Sequence, residues 1–205
     1  MTSGPIIVPS DPEAIRLTGD ARTFYTDVVR RLSRSGVPFL LGGAFALKHY
    51  AGVARDTKDL DLFIRPADWD RVATLLSRAG YVVDLPYTHW LGKVRSGEHF
   101  TDIIFNSGNG LTPIDDDWFF YAHEAEVLSH RVKLVPPEEC IWSKCFVMER
   151  ERFDGADVAH LLRACAPTMD WERLIARFGD KWRVLCAHVV LFGFIYPSAK
   201  HEIPE

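Results

Sequence analysis

Apolar and polar residues along the chain change period several times, and each change predicts an element. Phe24, Val28, Val29 and Leu32 recur at helical spacing ahead of Gly36, predicting an amphipathic helix over roughly 21–36. The stretch "VPFLLGG" reads as a short buried strand ending at Gly42 and Gly43, and "AFALKHYA" as the helix that leaves it. "DLDLFI" alternates with period two and predicts a second strand. Pro66 then opens "ADWDRVATLLSRAG", an amphipathic helix closed by Gly80.

"YVVDLPY" and "HFTDIIFN" are further strands with an arm, "THWLGKVRSGE", between them, and "NSGNGLTPIDDDW" is a loop by composition. "EVLSHRVKLV" reads as one alternating, edge-like strand ending at Pro136 and Pro137. Beyond it "PEECIWSKCFVMERE", "FDGADVAHLLRAC", "DWERLIARFG" and "DKWRVLCAHVVLFGF" carry helical periodicity. The layout predicts an α/β (α+β) fold: a mixed-sheet core over residues 1–135 with helices on one side, and a helical segment over 136–205 packed on it.

Composition narrows the function classes. The 205 residues are 47% hydrophobic and 25% charged, ordinary values for a globular chain. Net charge is -4, so no global positive field draws the chain to nucleic acid, although Arg30, Arg31, Arg34, Lys93, Arg95, Arg150 and Arg152 are candidates for a local groove. Cys140, Cys145, Cys165 and Cys186 form no CxxC pair and are expected at packed helix positions rather than in disulfides or a zinc site. The N-terminus lacks the signature of a signal peptide, and the apolar run 185–196 is shorter than the ~20 residues a membrane span needs. A cytoplasmic, reducing location with no membrane partner is the expectation.

The chemistry concentrates in residues 42–64. In a strand, alternate side chains share a face, so Asp59 and Asp61 project together, ~6.5–7 Å apart at Cα, while Leu60 and Leu62 face the core. Two ionised carboxylates at that spacing repel, and a hard divalent cation such as Mg²⁺ removes the conflict. The plain alternative is a polar edge strand whose acids pair with Arg55, Lys58 or Arg65. Two neighbours favour the metal. Gly42 and Gly43 stand at a strand-to-helix turn suited to phosphate, and Asp102 in "TDIIF" is a lone acid on an apolar strand, able to complete a carboxylate triad.

Together these residues resemble the nucleotidyltransferase superfamily of DNA polymerase β-like fold: Leu41-Gly42-Gly43, then Asp59-Leu60-Asp61, then Asp102. The spacing "GGAFALKHYAGVARDTKDLDLFI" is similar to a small bacterial branch that includes the nucleotidyltransferase-like toxins of abortive-infection systems, with Arg55 and Thr57 at matching positions and one residue inserted before Ala46-Leu47. A second block, residues 135–162, matches at Lys144, Arg152, Asp154 and Asp157.

The resemblance implies transfer of a nucleoside monophosphate from an NTP to an acceptor hydroxyl or phosphate with release of pyrophosphate. Asp59, Asp61 and Asp102 would hold Mg²⁺ or Mn²⁺, or Asp102 would help deprotonate the acceptor. Gly42, Gly43, Arg55, Thr57, Lys144 and Asp157 would serve the nucleotide and its phosphates, with Lys144 also catalytic. It leaves the acceptor open among a small molecule, a protein and RNA such as tRNA. It also leaves open an antitoxin or homodimer partner, with the helices of 170–194 as a lid, a dimer face or an acceptor platform. A catalytically inactive nucleotide- or partner-binding module on the same fold is the rival.

Other motifs fail their context. "DLDLF" has Phe63 and a polar lead-in where haloacid-dehalogenase phosphatases need Thr or Val and an apolar strand. Asp115, Asp116 and Asp117 lack calcium-loop spacing and are expected to cap a helix near Trp118. "HEAEV" is not HExxH. Trp90, Trp118, Trp142 and Trp182 are assigned to the core.

Overall fold

The computed structural model describes residues 15, 17–54, 57–148 and 150–204. Helix α1 (Gly19–Ser35) is capped by the Thr18 side chain and ended by Gly36 at φ +68°, as its periodicity predicts. Strand β1 (Leu40–Leu41) runs into α2 (Gly43–Ala51), then come β2 (Asp59–Phe63) and α3 (Trp69–Arg78). Strands β3 (Val82–Tyr87), β4 (Leu91–Ser96) and β5 (His99–Ile104) form a meander, and Asp115 caps the short α4 (Asp116–Phe120). The remaining elements are β6 (His123–Val127), β7 (His130–Leu134), α5 (Pro137–Cys145), α6 (Gly155–Cys165), α7 (Trp171–Phe178) and α8 (Trp182–Ile195).

The seven strands form one mixed sheet in the order β3-β4-β5-β2-β1-β7-β6. Strand β2 is parallel to β5 and antiparallel to β1, which is itself parallel to β7. Successive residues of β1 go to opposite sides, Leu40 into the core beneath α2 and α5–α8, Leu41 into the core beneath α1 and α3. Helices therefore cover both faces rather than one, because β1 and β2 carry apolar side chains on both. The edge strand β3 is exposed along nearly its whole length, whereas β4 and β5 beside it are mostly buried or half-buried.

Three expectations change. "EVLSHRVKLV" is a hairpin, not one strand: Leu128 and Ser129 take φ of +51° and +60°, the signs a two-residue type I′ turn requires, with no Gly or Asn to signal it. Consequently β6 is the edge and β7 is interior. Helix α5 stops at Cys145 instead of continuing through the "FVMERE" stretch. Trp182 is 45% exposed on α8 and Cys186 is exposed, whereas Trp118, Trp142 and the other three cysteines are buried. No helix among the described residues is long and apolar enough to cross a membrane.

Candidate active site

The sheet assembles the acids. Asp61 and Asp102 are directly in register on the parallel pair β2–β5, and Asp59 lies two residues earlier on the same face. One carboxylate oxygen from each of the three lies within 4.8 Å of the others. Leu60 and Leu62, pointing the other way, are completely buried against the α1 side and anchor the strand that carries the acids. Tyr25 of α1 adds a pin that the sequence pattern did not single out: its hydroxyl donates to the Lys58 carbonyl at 3.0 Å, just before Asp59.

Gly42 and Gly43 have a specific task here. The Gly42 N–H donates to the Asp61 carbonyl at 3.0 Å, tying the turn to β2. Gly43 has φ +54°, and a Cβ at that residue would lie 1.7 Å from Asp61 Oδ2. Only glycine lets the Asp61 carboxylate reach the first turn of α2. Gly42 is crowded too, by the Phe63 ring 2.3 Å from where its Cβ would be, without the positive φ of Gly43.

Burial first, then the neighbouring charges of Asp59 and Asp102, push the Asp61 carboxyl up to about 7. Lys144 and Arg152 stand near enough for their charges to oppose that rise. Asp102 is also raised, mainly by burial, against the pull of Lys93, whose Nζ sits 2.5 Å from Asp102 Oδ1. Thr57 orients the remaining acid: its hydroxyl donates to Asp59 Oδ1 at 2.7 Å. Among the described residues no cationic side chain is ion-paired with Asp59 or Asp61. Arg65 pairs with Asp116 and Asp68 instead. Arg55 lies outside the described residues.

Lys144 and Asp157 are brought beside this cluster as an ionic pair of their own. Lys144 Nζ contacts Asp154 Oδ2 at 3.0 Å and Asp157 Oδ2 at 2.6 Å, and Arg152 grips Asp154 with two hydrogen bonds of 3.0 and 3.1 Å. Burial works against the charge on Lys144, yet the two carboxylates hold its pKa above the usual value. Several members of the candidate basic groove are likewise paired, Arg30 and Arg31 with Asp27, Arg95 with Asp84, and Lys93 with Asp102. Lys93 is the site residue whose role sequence reasoning missed. Its signal was period two: it faces Asp102 only once the β4–β5 register is known.

Three aspartates held this close are chemically matched to a hard divalent cation, which oxygen ligands of this kind take up. The raised carboxyl of Asp61 is what such a set shows when uncompensated.

A family model described as "Uncharacterised nucleotidyltransferase" matches residues 21–190. No curated protein matches the sequence. Among solved structures, the chain is similar to the antibiotic-resistance factor ANT(2″)-Ia in its solution structure, with a TM-score of 0.58 and 17% identity over 84% of this chain and 98% of that one. The same factor in complex with adenylyl-2″-tobramycin gives a TM-score of 0.55 and 15% identity over 81% and 98%. Lincomycin-bound LnuA, a lincosamide antibiotic adenylyltransferase, gives a TM-score of 0.48 and 15% identity over 71% and 96%. The likeness to the two ANT(2″)-Ia structures shows a shared fold, and the family match runs through the glycine turn, all three acids and the Lys144 cluster. The chain therefore belongs to this nucleotidyltransferase family and is an enzyme that transfers phosphorus-containing groups.

Proposed function

We propose that the protein is a metal-dependent nucleotidyltransferase that moves a nucleoside monophosphate from an NTP to the hydroxyl of a small molecule, releasing pyrophosphate. The observation that carries the reading is the convergence of Asp59, Asp61 and Asp102 within 4.8 Å of one another beside the Gly42–Gly43 turn. These three acids would hold Mg²⁺ or Mn²⁺, which when bound lowers the pKa of an attacking oxygen and offsets the charge on leaving pyrophosphate. Asp61, seated against the first turn of α2, and Asp59, oriented by Thr57, hold the nucleotide side. Asp102, on the β4 side of the cluster, would accept the proton of an acceptor hydroxyl. Arg152, with a side chain 64% exposed, and Lys144, both close enough to act on Asp61, would supply positive charge for the phosphates.

A small-molecule acceptor is supported by the adenylyl-tobramycin complex of the structural neighbour and by the pairing of basic residues that RNA would otherwise use. A cytoplasmic location is in keeping with the four unpaired thiols.

The test is a thermal-shift panel of the four NTPs with and without Mg²⁺ or Mn²⁺, on wild type and Asp61→Asn. Ligand at ~100 times Kd stabilises by ~2.7 kcal/mol. A rise in Tm that needs metal and vanishes in Asp61→Asn supports the reading. No shift with any NTP, together with an Asp61→Asn protein more stable than wild type whatever the metal, would replace it with the inactive-module reading.

A further inference from the structure

The acids of this site are not alone on their sheet face. Lys93 lies directly opposite Asp102 across the antiparallel β4–β5 pair, so its ammonium approaches from the same face. Its Nζ is 2.5 Å from Asp102 Oδ1, and the two side chains are only 19% and 16% exposed. The Phe100 ring lies 4.3 Å from Nζ and narrows the positions it can take. Asp84, in register with Lys93 on its other side, is paired with Arg95 at 3.2 Å. That flanking acid is thereby engaged by Arg95, and the ion pair Lys93 makes is with Asp102.

We infer that Lys93 is a positioning residue for the third carboxylate, holding Asp102 and limiting the nucleotide-free site to one divalent cation. The inference rests on the function proposed above. Fully ionised, as metal ligands are, the three carboxylates carry a charge of -3, and the resident ammonium leaves -2, which one divalent ion balances. A second ion would then enter with the phosphates of the nucleotide, which bring the negative charge it needs. Because the pair is largely enclosed, solvent screens it little, and removing the ammonium changes the local field substantially.

The experiment is a Mn²⁺ titration of the full chain without nucleotide, reading free Mn²⁺ by electron paramagnetic resonance. Wild type, Lys93→Met, Lys93→Arg and Asp61→Asn are compared, with Tm in EDTA as the check on folding. Wild type is expected to bind one ion and Asp61→Asn to lose it. Lys93→Met should bind the first ion at least tenfold tighter and take a second ion, while Lys93→Arg, which keeps the charge, should stay within about threefold of wild type.

Should Lys93→Met prove unfolded, Lys93→Gln replaces it with the same expectation. A neutral variant with wild-type affinity and stoichiometry, alongside an Asp61→Asn protein that has lost binding, overturns the role of Lys93 and leaves the site standing. So does a wild-type protein that already takes two ions. An Asp61→Asn protein that binds like wild type overturns the site itself.

Discussion

Gly43→Ala separates the backbone requirement of the glycine turn from its service to Asp61. An L residue at φ +54° pays the left-handed penalty, about 1–2 kcal/mol. Gly97, at φ +58° in the β4–β5 turn with nothing within 4 Å of its notional Cβ, carries the same penalty and nothing else, so Gly97→Ala is the matched control. At about 2–4 °C of Tm per kcal/mol for a chain of this length, the control should lose about 2–8 °C. Gly43→Ala should lose at least as much. Its added methyl would also lie 1.7 Å from Asp61 Oδ2, 2.7 Å from Cγ and 3.0 Å from Cβ. Rotation about χ1 moves the first two atoms away but not the third, so the carboxylate must leave its place at the α2 N-terminus and the main chain must shift with it. The assay pairs differential scanning calorimetry with the Mn²⁺ titration. Gly97→Ala should bind Mn²⁺ as wild type does, and Gly43→Ala should bind at least tenfold more weakly. Equal Mn²⁺ affinity in the two variants would refute the reasoning, because the close approach of Asp61 to α2 would then be immaterial to the site.

Two further predictions concern charge. Native Asp61 keeps its proton up to about 7, whereas in the unfolded chain it loses it near 4, so metal-free stability falls as pH rises through that window. Urea unfolding in EDTA at pH 4.5, 6 and 7.5 should show wild type losing stability against Asp61→Asn by of order 1 kcal/mol per pH unit, flattening above 7; a parallel pair of curves would contradict it. Arg173 of α7 pairs with both Glu138 and Glu139 of α5, the latter completely buried and also held by Arg177 at 3.1 Å. Arg173→Met takes the ion pair from buried Glu138 and leaves Glu139 to Arg177 alone, and should cost about 3–5 kcal/mol in denaturant titration; a loss under 1 kcal/mol would show the network to be dispensable.

Helices α1, α3, α6 and α7 were legible because each buries one stripe of a 3.6-residue repeat, and all four are followed within two residues by a glycine or proline. The β6–β7 hairpin was not: Leu128 and Ser129 adopt positive φ without the glycine or asparagine that normally advertises it, since the pairing of β7 with β1 holds the strands in place around the turn. Trp182 and Cys186 looked like core because apolar residues run right round α8, and the period of such a helix does not say which side is covered.

By itself the sequence determined that Asp59 and Asp61 share a strand face, that a glycine turn precedes them, and that Asp102 sits on another apolar strand. These follow from local period and turn chemistry. Only the tertiary structure decided that Asp102 is the register partner of Asp61, that Lys93 faces Asp102, and that Gly43 is where Asp61 meets α2. Strand order and register are set by which apolar faces bury together over long separations in the chain, and no local pattern carries that information.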